Sequence, residues 1–354
     1  MLEKLTSMSN AKHSIGIDIS KATFTACACS KDPEGKLTFS EVKKFNNEAT
    51  GFNQLLRWVK SLVQPSEELI FLMEATGVYY ENLAHHLFKI KKKVVVVLPN
   101  TSKHYFSSLN IKTKTDELDA KILSRFGIER IHRLWAPPKP ILLQLRNLTR
   151  YYVQLLEQRT SLSNIRHSKE ASHEVQKFIL QSNQKLIKQI EKQIQEVKLE
   201  IEKLICSDPE LKQKVENIMT IKGVGLVTVA TIIAETLGFE HFHRSKQVVS
   251  YAGYDVVQRE SGTSIKGKTR ISKKGNRYIR NALYFPAMVA TRFNPDIKAN
   301  YMRIILKKPS KMIGQVAIQR KLLVLIYTLW KNNKAFIPNY KVAPTLLAEA
   351  TLDS

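Results

Sequence analysis

Residues 14–30 read SIGIDISKATFTACACS. β-Branched and small apolar residues dominate this stretch, and Ser20-Lys21 interrupts it. The pattern predicts a strand, a short turn and a second strand. Working outward, Gly35 ends a turn and Lys36 to Phe45 reads as a third strand. Asn46 to Val63 places Phe52, Leu55, Leu56, Val59 and Leu62 at helical spacing. Leu69 to Glu74 (LIFLME) and Val94 to Leu98 are apolar runs of buried-strand type, with a helix expected between them from about Tyr80 to Ile90. Thr115 to Phe126 also reads as helix. Three strands, a helix, then alternating strand and helix predict an α/β layer domain ending near residue 135.

Pro137, Pro138 and Pro140 mark a boundary. Ile141 to Ile205 contains no Pro or Gly, and Ile187, Ile190, Ile194, Val197, Ile201 and Leu204 keep a three/four spacing. That is the seam of a coiled coil or helical hairpin, a spacer or an oligomerisation arm. A third, mainly helical region runs from about Ser207 to Phe336, and the tail after Pro338 is expected to be peripheral.

The chain has 354 residues, 43% hydrophobic, enough for two or three domains with their own cores. Lys and Arg number 56 against 31 Asp and Glu, a net charge of +25. A surplus of this size points to a polyanionic partner, nucleic acid or an anionic membrane surface. No apolar run approaches the ~20 residues of a spanning helix. Residues 1–10, MLEKLTSMSN, hold no apolar signal core, so a cytoplasmic chain is expected. Cys27, Cys29 and Cys206 make no disulfide framework, and Cys27 and Cys29 on one strand face suit core packing better than a zinc site.

Four carboxylates stand out. Asp18 lies between Ile17 and Ile19, with its side chain expected on the opposite strand face. Glu74 ends LIFLME. Asp116 and Asp119, in KTDELDAKIL, are spaced to share one helix face, about 5–6 Å apart. If the strands are adjacent and the helix crosses them, all four converge. Charges about 5 Å apart repel by roughly 3 kcal/mol at an effective dielectric near 20, so a cation must offset them or some carboxyls must stay protonated. Oxygen-only ligands favour Mg²⁺ or Mn²⁺, which can stabilise the attacking and leaving oxygens of a phosphodiester exchange. For Asp116 taken singly, a helix-start charge favoured by the macrodipole is the default reading. Asp18 is hardest to dismiss, because a charge amid an apolar strand is costly.

A second candidate site lies further along. Lys266, Lys268, Arg270, Lys273, Lys274, Arg277 and Arg280 occur within fifteen residues that contain no acidic residue. A solvated basic face is the common explanation of such a run, but Gly262, Gly267 and Gly275 would let the backbone approach a phosphate. Ser261, Ser264 and Ser272 are the local hydroxyls, and chemistry alone does not choose a nucleophile among them. Upstream, Ile221-Lys222-Gly223-Val224-Gly225 has the form of a helix-hairpin-helix turn, with Lys222, Gly223 and Gly225 presented to a phosphate.

In order, GIDISK, MEATGVYY, KTDELDAKIL, IKGVG, YAGY, RESGTSIKG, RISKKGN and IRNALYFPAMVAT resemble the insertion-sequence transposases of the IS110 family, DEDD recombinases related to the Piv invertases. The resemblance spans about residues 14–336. It implies an N-terminal RuvC-like, RNase H-fold catalytic domain over 1–136, a helical coiled-coil spacer over 137–206, a transposase domain over 207–340 and a tail over 341–354. It implies Asp18, Glu74, Asp116 and Asp119 as metal-binding catalytic acids. It also selects Ser261, in Ser261-Gly262, over Ser264 and Ser272. The implied chemistry is serine attack on DNA to give a 5′-phosphoserine, strand exchange through a Holliday junction, and religation, with a structured bridge RNA pairing to donor and target DNA. The two sites would act together across protomers, typically of a tetramer. One departure is visible: family members often carry a proline shortly after the Ala-Gly pair, whereas Ala252-Gly253 is followed by Tyr254, Asp255, Val256 and Val257.

Other readings are a metal-dependent junction nuclease in which water attacks, a DNA invertase without guide RNA, and a non-enzymatic architectural protein. The architectural reading predicts indifference to divalent metal. The nuclease predicts a free 5′-phosphate where the recombinase predicts a protein-linked end.

Overall fold

The computed structural model describes residues 11–337 except 65–67, 112, 114, 175, 258–259, 262–264, 267–269 and 308–309, and only the backbone of 260, 261, 265 and 266. The chain divides into two compact units, Met1–Pro137 and Pro138–Ser354.

The N-terminal unit is α/β. Its strands and helices are β1 (His13–Ile19), β2 (Thr23–Lys31), β3 (Leu37–Phe39), β4 (Lys43–Asn46), α1 (Ala49–Leu62), β5 (Leu69–Glu74), α2 (Glu81–Lys89), β6 (Lys93–Val97), α3 (Pro99–Ser108) and α4 (Asp116–Glu129). The sheet runs β3-β2-β1-β5-β6, with β4 also on β2. β1 and β2 are antiparallel, while β5 lies parallel to β1 and β6 parallel to β5. This strand order is RNase H-like, the fold that the family resemblance implies.

The single strand expected over Lys36–Phe45 is instead two, both on β2. The break falls at Ser40, whose hydroxyl oxygen, not a carbonyl, accepts the Ala28 N–H at 3.0 Å. α3 is an addition to the expected elements. Its sequence, PNTSKHYFSS, buries only Ser102 and Tyr105, so it carries little helical periodicity.

Side chains alternate across the sheet. Ile15, Ile17 and Ile19 of β1 and Phe71 and Met73 of β5 pack with Phe52, Leu55 and Trp58 of α1 and Leu83 and Leu87 of α2. On the other face, Ile70 and Leu72 pack with Ile122, Leu123 and Phe126 of α4 and Tyr105 of α3. Cys27 and Cys29 are buried in β2, and burial pushes both thiols up, Cys29 to about 12, as expected of packing residues.

The C-terminal unit is mostly helical: α5 (Pro140–Glu170), α6 (Lys177–Cys206), α7 (Pro209–Met219), α8 (Leu226–Thr236), α9 (Ser245–Tyr251), β7 (Val256–Val257), β8 (Glu260–Ser261), β9 (Ile265–Lys266), β10 (Arg270–Ile271), α10 (Arg277–Phe293), α11 (Pro295–Ile305) and α12 (Lys311–Asn332). Leu142, Leu145 and Leu155 of α5 share a core with Ile194, Val197, Ile201 and Ile205 of α6, so the start of one helix meets the end of the other in an antiparallel hairpin. That core continues into α7, α8, α10 and α12, which places the hairpin and the helices after it in one unit.

α12 is long and apolar enough to cross a membrane, with a mean hydropathy of 1.3, which exceeds the short run expected there. Its Ile318, Leu322, Leu323 and Ile326 are buried in the core, the position of a core helix.

Candidate functional site

In the N-terminal unit, two glycines, Gly16 of β1 and Gly127 of α4, govern how α4 approaches the sheet. A Cβ on Gly16 would run into Ser124 N and Ala120 O of α4, and one on Gly127 would run into Ser14 Oγ. Ser14 and Gly16 share a strand face, so α4 lies directly on that face. Its later residues sit over the start of β1 and its earlier residues over the middle. The start of α4, with Asp116 and Asp119, therefore points toward the end of β1, where Asp18 follows Gly16 on the same face.

Ile17 pairs with Met73 in the parallel register, so Asp18 and Glu74 are the next residues on neighbouring strands. Glu74 shares its face with Ile70 and Leu72, again the α4 side. The backbone thus brings the four carboxylates to one end of one sheet face.

Their settings differ. Glu74 is half-buried and oriented by two hydroxyls: Ser102 Oγ donates to Oε2 at 2.6 Å and Thr76 Oγ1 to Oε1 at 3.3 Å. Asp119 is buried and Asp18 half-buried, while Asp116 is exposed at the first position of α4. Thr115 caps that helix, its hydroxyl accepting from Leu118 N at 3.2 Å. Three acidic residues in the first turn also suit the helix dipole. The donor set is all oxygen, which suits a hard divalent ion in its chemistry. Among the described residues, no three His, Cys, Asp or Glu side chains are gathered closely enough to hold one as they stand.

In the C-terminal unit, the basic glycine-bearing segment, expected as a loop, is a two-step β-hairpin. Val257 faces Arg270 in its lower step, and Ser261 faces Ile265 in its upper step. Ser261 therefore lies near the tip. Gly262, Ser264, Gly267 and Lys268 fall outside the described residues, as does the 341–354 tail, and of Ser261 and Lys266 only the backbone is described.

The hairpin is fastened at its base. Ser272 N–H donates to Asp255 O at 2.8 Å and its hydroxyl to Asp255 Oδ1 at 2.7 Å. Lys273 N–H donates to Gly253 O at 3.1 Å, and Asn276 N–H to Tyr251 O at 2.8 Å. Gly275 lies against the backbone of Tyr251–Gly253, so its missing side chain serves this internal contact instead of a phosphate. In the turn after which family members often carry a proline, Gly253 adopts φ +75° and the following Tyr254 is buried, its hydroxyl donating to Gln319 at 2.9 Å.

Arg270, Lys273, Lys274 and Arg277 are exposed along this segment. Arg280 is half-buried and donates to Ala252 O at 2.7 Å, tying α10 to the turn. The glycine turn before α8 is also formed. Gly223 adopts φ +93° with Val289 packed where a side chain would be, and Gly225 caps α8 facing open space. Lys222 is exposed, its Nζ 5.5 Å from the Phe293 ring centre.

The structure adds a buried charge that sequence reading passed over. Glu235, its side chain 0% exposed, receives two hydrogen bonds from Arg150, at 2.7 and 2.9 Å, and one from Asn276 at 2.6 Å. Asn276 in turn caps α10. Glu235 thus ties the hairpin's exit to α5 and α8. A lone acid inside TIIAETLG was a signal of the same kind as Asp18 in IGIDIS.

With an RNase H-like carboxylate unit and a helical unit carrying a basic hairpin, the chain has the organisation of a DEDD transposase. A DEDD transposase family model of the IS110 type matches residues 15–168, and one described as the transposase IS116/IS110/IS902 family matches 215–302. The pilin gene-inverting protein of Moraxella bovis is 31% identical over 332 residues, covering 92% of this chain and 98% of the relative. The Moraxella lacunata protein of that name is similar to the same extent. A transposase for insertion sequence element IS1111A from Coxiella burnetii is 25% identical over 34% of each chain. Among solved structures, Thermus thermophilus RuvC aligns with 35% of this chain and 99% of its own at 12% identity and a TM-score of 0.25. The chain belongs to the IS110 family of transposases.

Proposed function

We propose that this protein is a DNA-cleaving recombinase that exchanges strands through a phosphoserine intermediate formed on Ser261. The carrying observation is that the two family matches bracket both candidate sites, the carboxylates within 15–168 and the serine hairpin within 215–302. The hydroxyl of Ser261 attacks a DNA phosphorus, a phosphoserine bond forms, and the displaced sugar oxygen leaves with a proton. Attack by the freed hydroxyl of the exchanged strand reverses the step and restores the serine. Arg270, Lys273, Lys274 and Arg277 hold the phosphates of the reacting strands, and Lys266 and Lys268 belong to the same basic run.

Asp18, Glu74, Asp119 and Asp116 would hold a divalent ion, Mg²⁺ or Mn²⁺, which when bound supplies charge stabilisation at the phosphate. Ser102 and Thr76 keep the Glu74 carboxylate oriented for that role. The family resemblance further supports a homo-oligomer, up to a tetramer, working with donor DNA, target DNA and a structured guide RNA.

The test is cleavage of donor and target DNA by the full chain with its copurifying RNA, quenched in denaturant. A protein-linked DNA end, lost in Ser261→Ala and in Asp18→Ala, is expected. A free 5′-phosphate that persists in Ser261→Ala assigns the attack to water instead. The similarity to pilin gene-inverting proteins favours a second reading, inversion without a guide. Recombination that survives complete RNase digestion would select it.

A further inference from the structure

α10 buries one face through Ile279, Leu283, Pro286, Ala287 and Ala290. Its sequence, RYIRNALYFPAMVATRF, has three arginines and no acid. The other face presents aromatic rings to solvent: Tyr284 is 37% exposed, Phe285 71% and Phe293 58%. Single exposed apolar residues are ordinary, but three solvent-exposed rings on one helix mark an interaction surface. Tyr284 and Phe285 meet edge to face at 5.3 Å. Cations rim the row, with Arg277 5.1 Å from the Tyr278 ring centre and Lys222 5.5 Å from that of Phe293.

Beside this face a groove of about 680 Å³ runs between α5, α8 and α10. Phe285 and Tyr278 supply aromatic wall, while Asn164, Asn281 and Thr228 supply hydrogen-bonding groups. Among the described residues Glu157 is the one acid that lines it. An apolar helix from a second copy would cover Phe285 but leave the two amides without partners, at a desolvation cost. A nucleobase satisfies both features, because its flat face stacks on a ring and its edge bonds an amide. Arg277 and Arg292 lie about two turns to either side of Phe285, roughly 12 and 10.5 Å away along the helix, suited to phosphates of the same strand.

We propose that this groove receives an unpaired nucleotide of a DNA strand, its base stacked on Phe285. The choice of DNA rests on the function proposed above: α10 follows directly on the hairpin carrying Ser261, where strands under exchange are unpaired.

The experiment compares binding of fluorescein-labelled oligodeoxythymidine and of a duplex of equal length to the full chain at fixed salt. Phe285→Ala is expected to weaken oligodeoxythymidine binding roughly 5- to 150-fold, the range of one lost base stack, with duplex binding and thermal midpoint unchanged. Phe285→Trp, which keeps a ring, is expected to restore it. Unchanged oligodeoxythymidine binding, or equal losses on both probes, overturns the proposal. So does a loss of self-association by light scattering as the sole effect, which would assign the surface to a second copy. Tighter, Phe285-dependent binding of oligouridine would assign it to RNA. No strand is cut in this assay, so its failure is read separately from failure of the serine chemistry.

Discussion

Ser102 is 1% exposed and can donate its single hydroxyl proton to Glu74 Oε2 at 2.6 Å or to Pro99 O at 3.0 Å. The charged acceptor wins, because charge-assisted hydrogen bonds are shorter and about twice as strong. Donors of this kind fix the plane of a ligating carboxylate, and removing one commonly weakens metal binding about 10- to 100-fold. Ser102→Ala is expected to weaken Mn²⁺ binding by that factor, read by paramagnetic titration. Unaltered affinity, where Glu74→Gln abolishes binding, would show that Ser102 does not position the ligand. A second residue sets a pH response. His132 is buried with Nε2 2.8 Å from Phe126 O, and burial holds its pKa below the ordinary 6.5 despite that hydrogen bond. Above pH 6.5 the ring is neutral folded and unfolded. As pH falls below 6.5 the unfolded chain takes up the proton first, so stability declines until the folded pKa is passed. His132→Gln is expected to flatten the dependence of the urea midpoint on pH in that window, and an unchanged slope would refute it.

Among elements, α4 carries most of the geometry. Gly16 and Gly127 let it lie against β1 with backbone in contact, which sets where Asp119 stands relative to Asp18. Gly16→Ala places a methyl against backbone atoms that cannot rotate away. Overpacking of this kind costs about 1–3 kcal/mol or more, and the variant is expected to lose at least that in urea denaturation together with Mn²⁺ affinity. Full stability would mean that α4 is not seated as described. The strands and amphipathic helices around α4 were legible because the central strands are short runs rich in β-branched and apolar residues and the helices repeat an apolar residue every third to fourth position. α3 was not, because PNTSKHYFSS buries two residues and repeats nothing. The serine hairpin was missed as well. Its strands are two residues long and are stabilised by cross-strand pairing and by Asp255–Ser272, neither of which leaves a periodic trace.

Across the whole molecule, the surplus of +25 governs how tightly any polyanion is held. Neutralising 6–10 phosphates releases counterions, so DNA affinity is expected to fall roughly 10³- to 10⁵-fold between 50 and 200 mM salt. A logarithmic plot of affinity against salt checks this, and a shallow slope would mean that few of the exposed cations contact phosphate. Charge, α/β and helical segmentation and the identity of each candidate acid, base and serine were written in the sequence, since they depend on composition and on neighbours within a turn or a strand pair. Tertiary structure alone decided which groups meet. Parallel pairing set Asp18 beside Glu74, and two glycines let α4 bring Asp119 to the same end of the sheet. In the other unit, Glu235 found Arg150 across 85 positions of chain. Such encounters depend on strand register and close packing between distant segments, which local pattern does not encode.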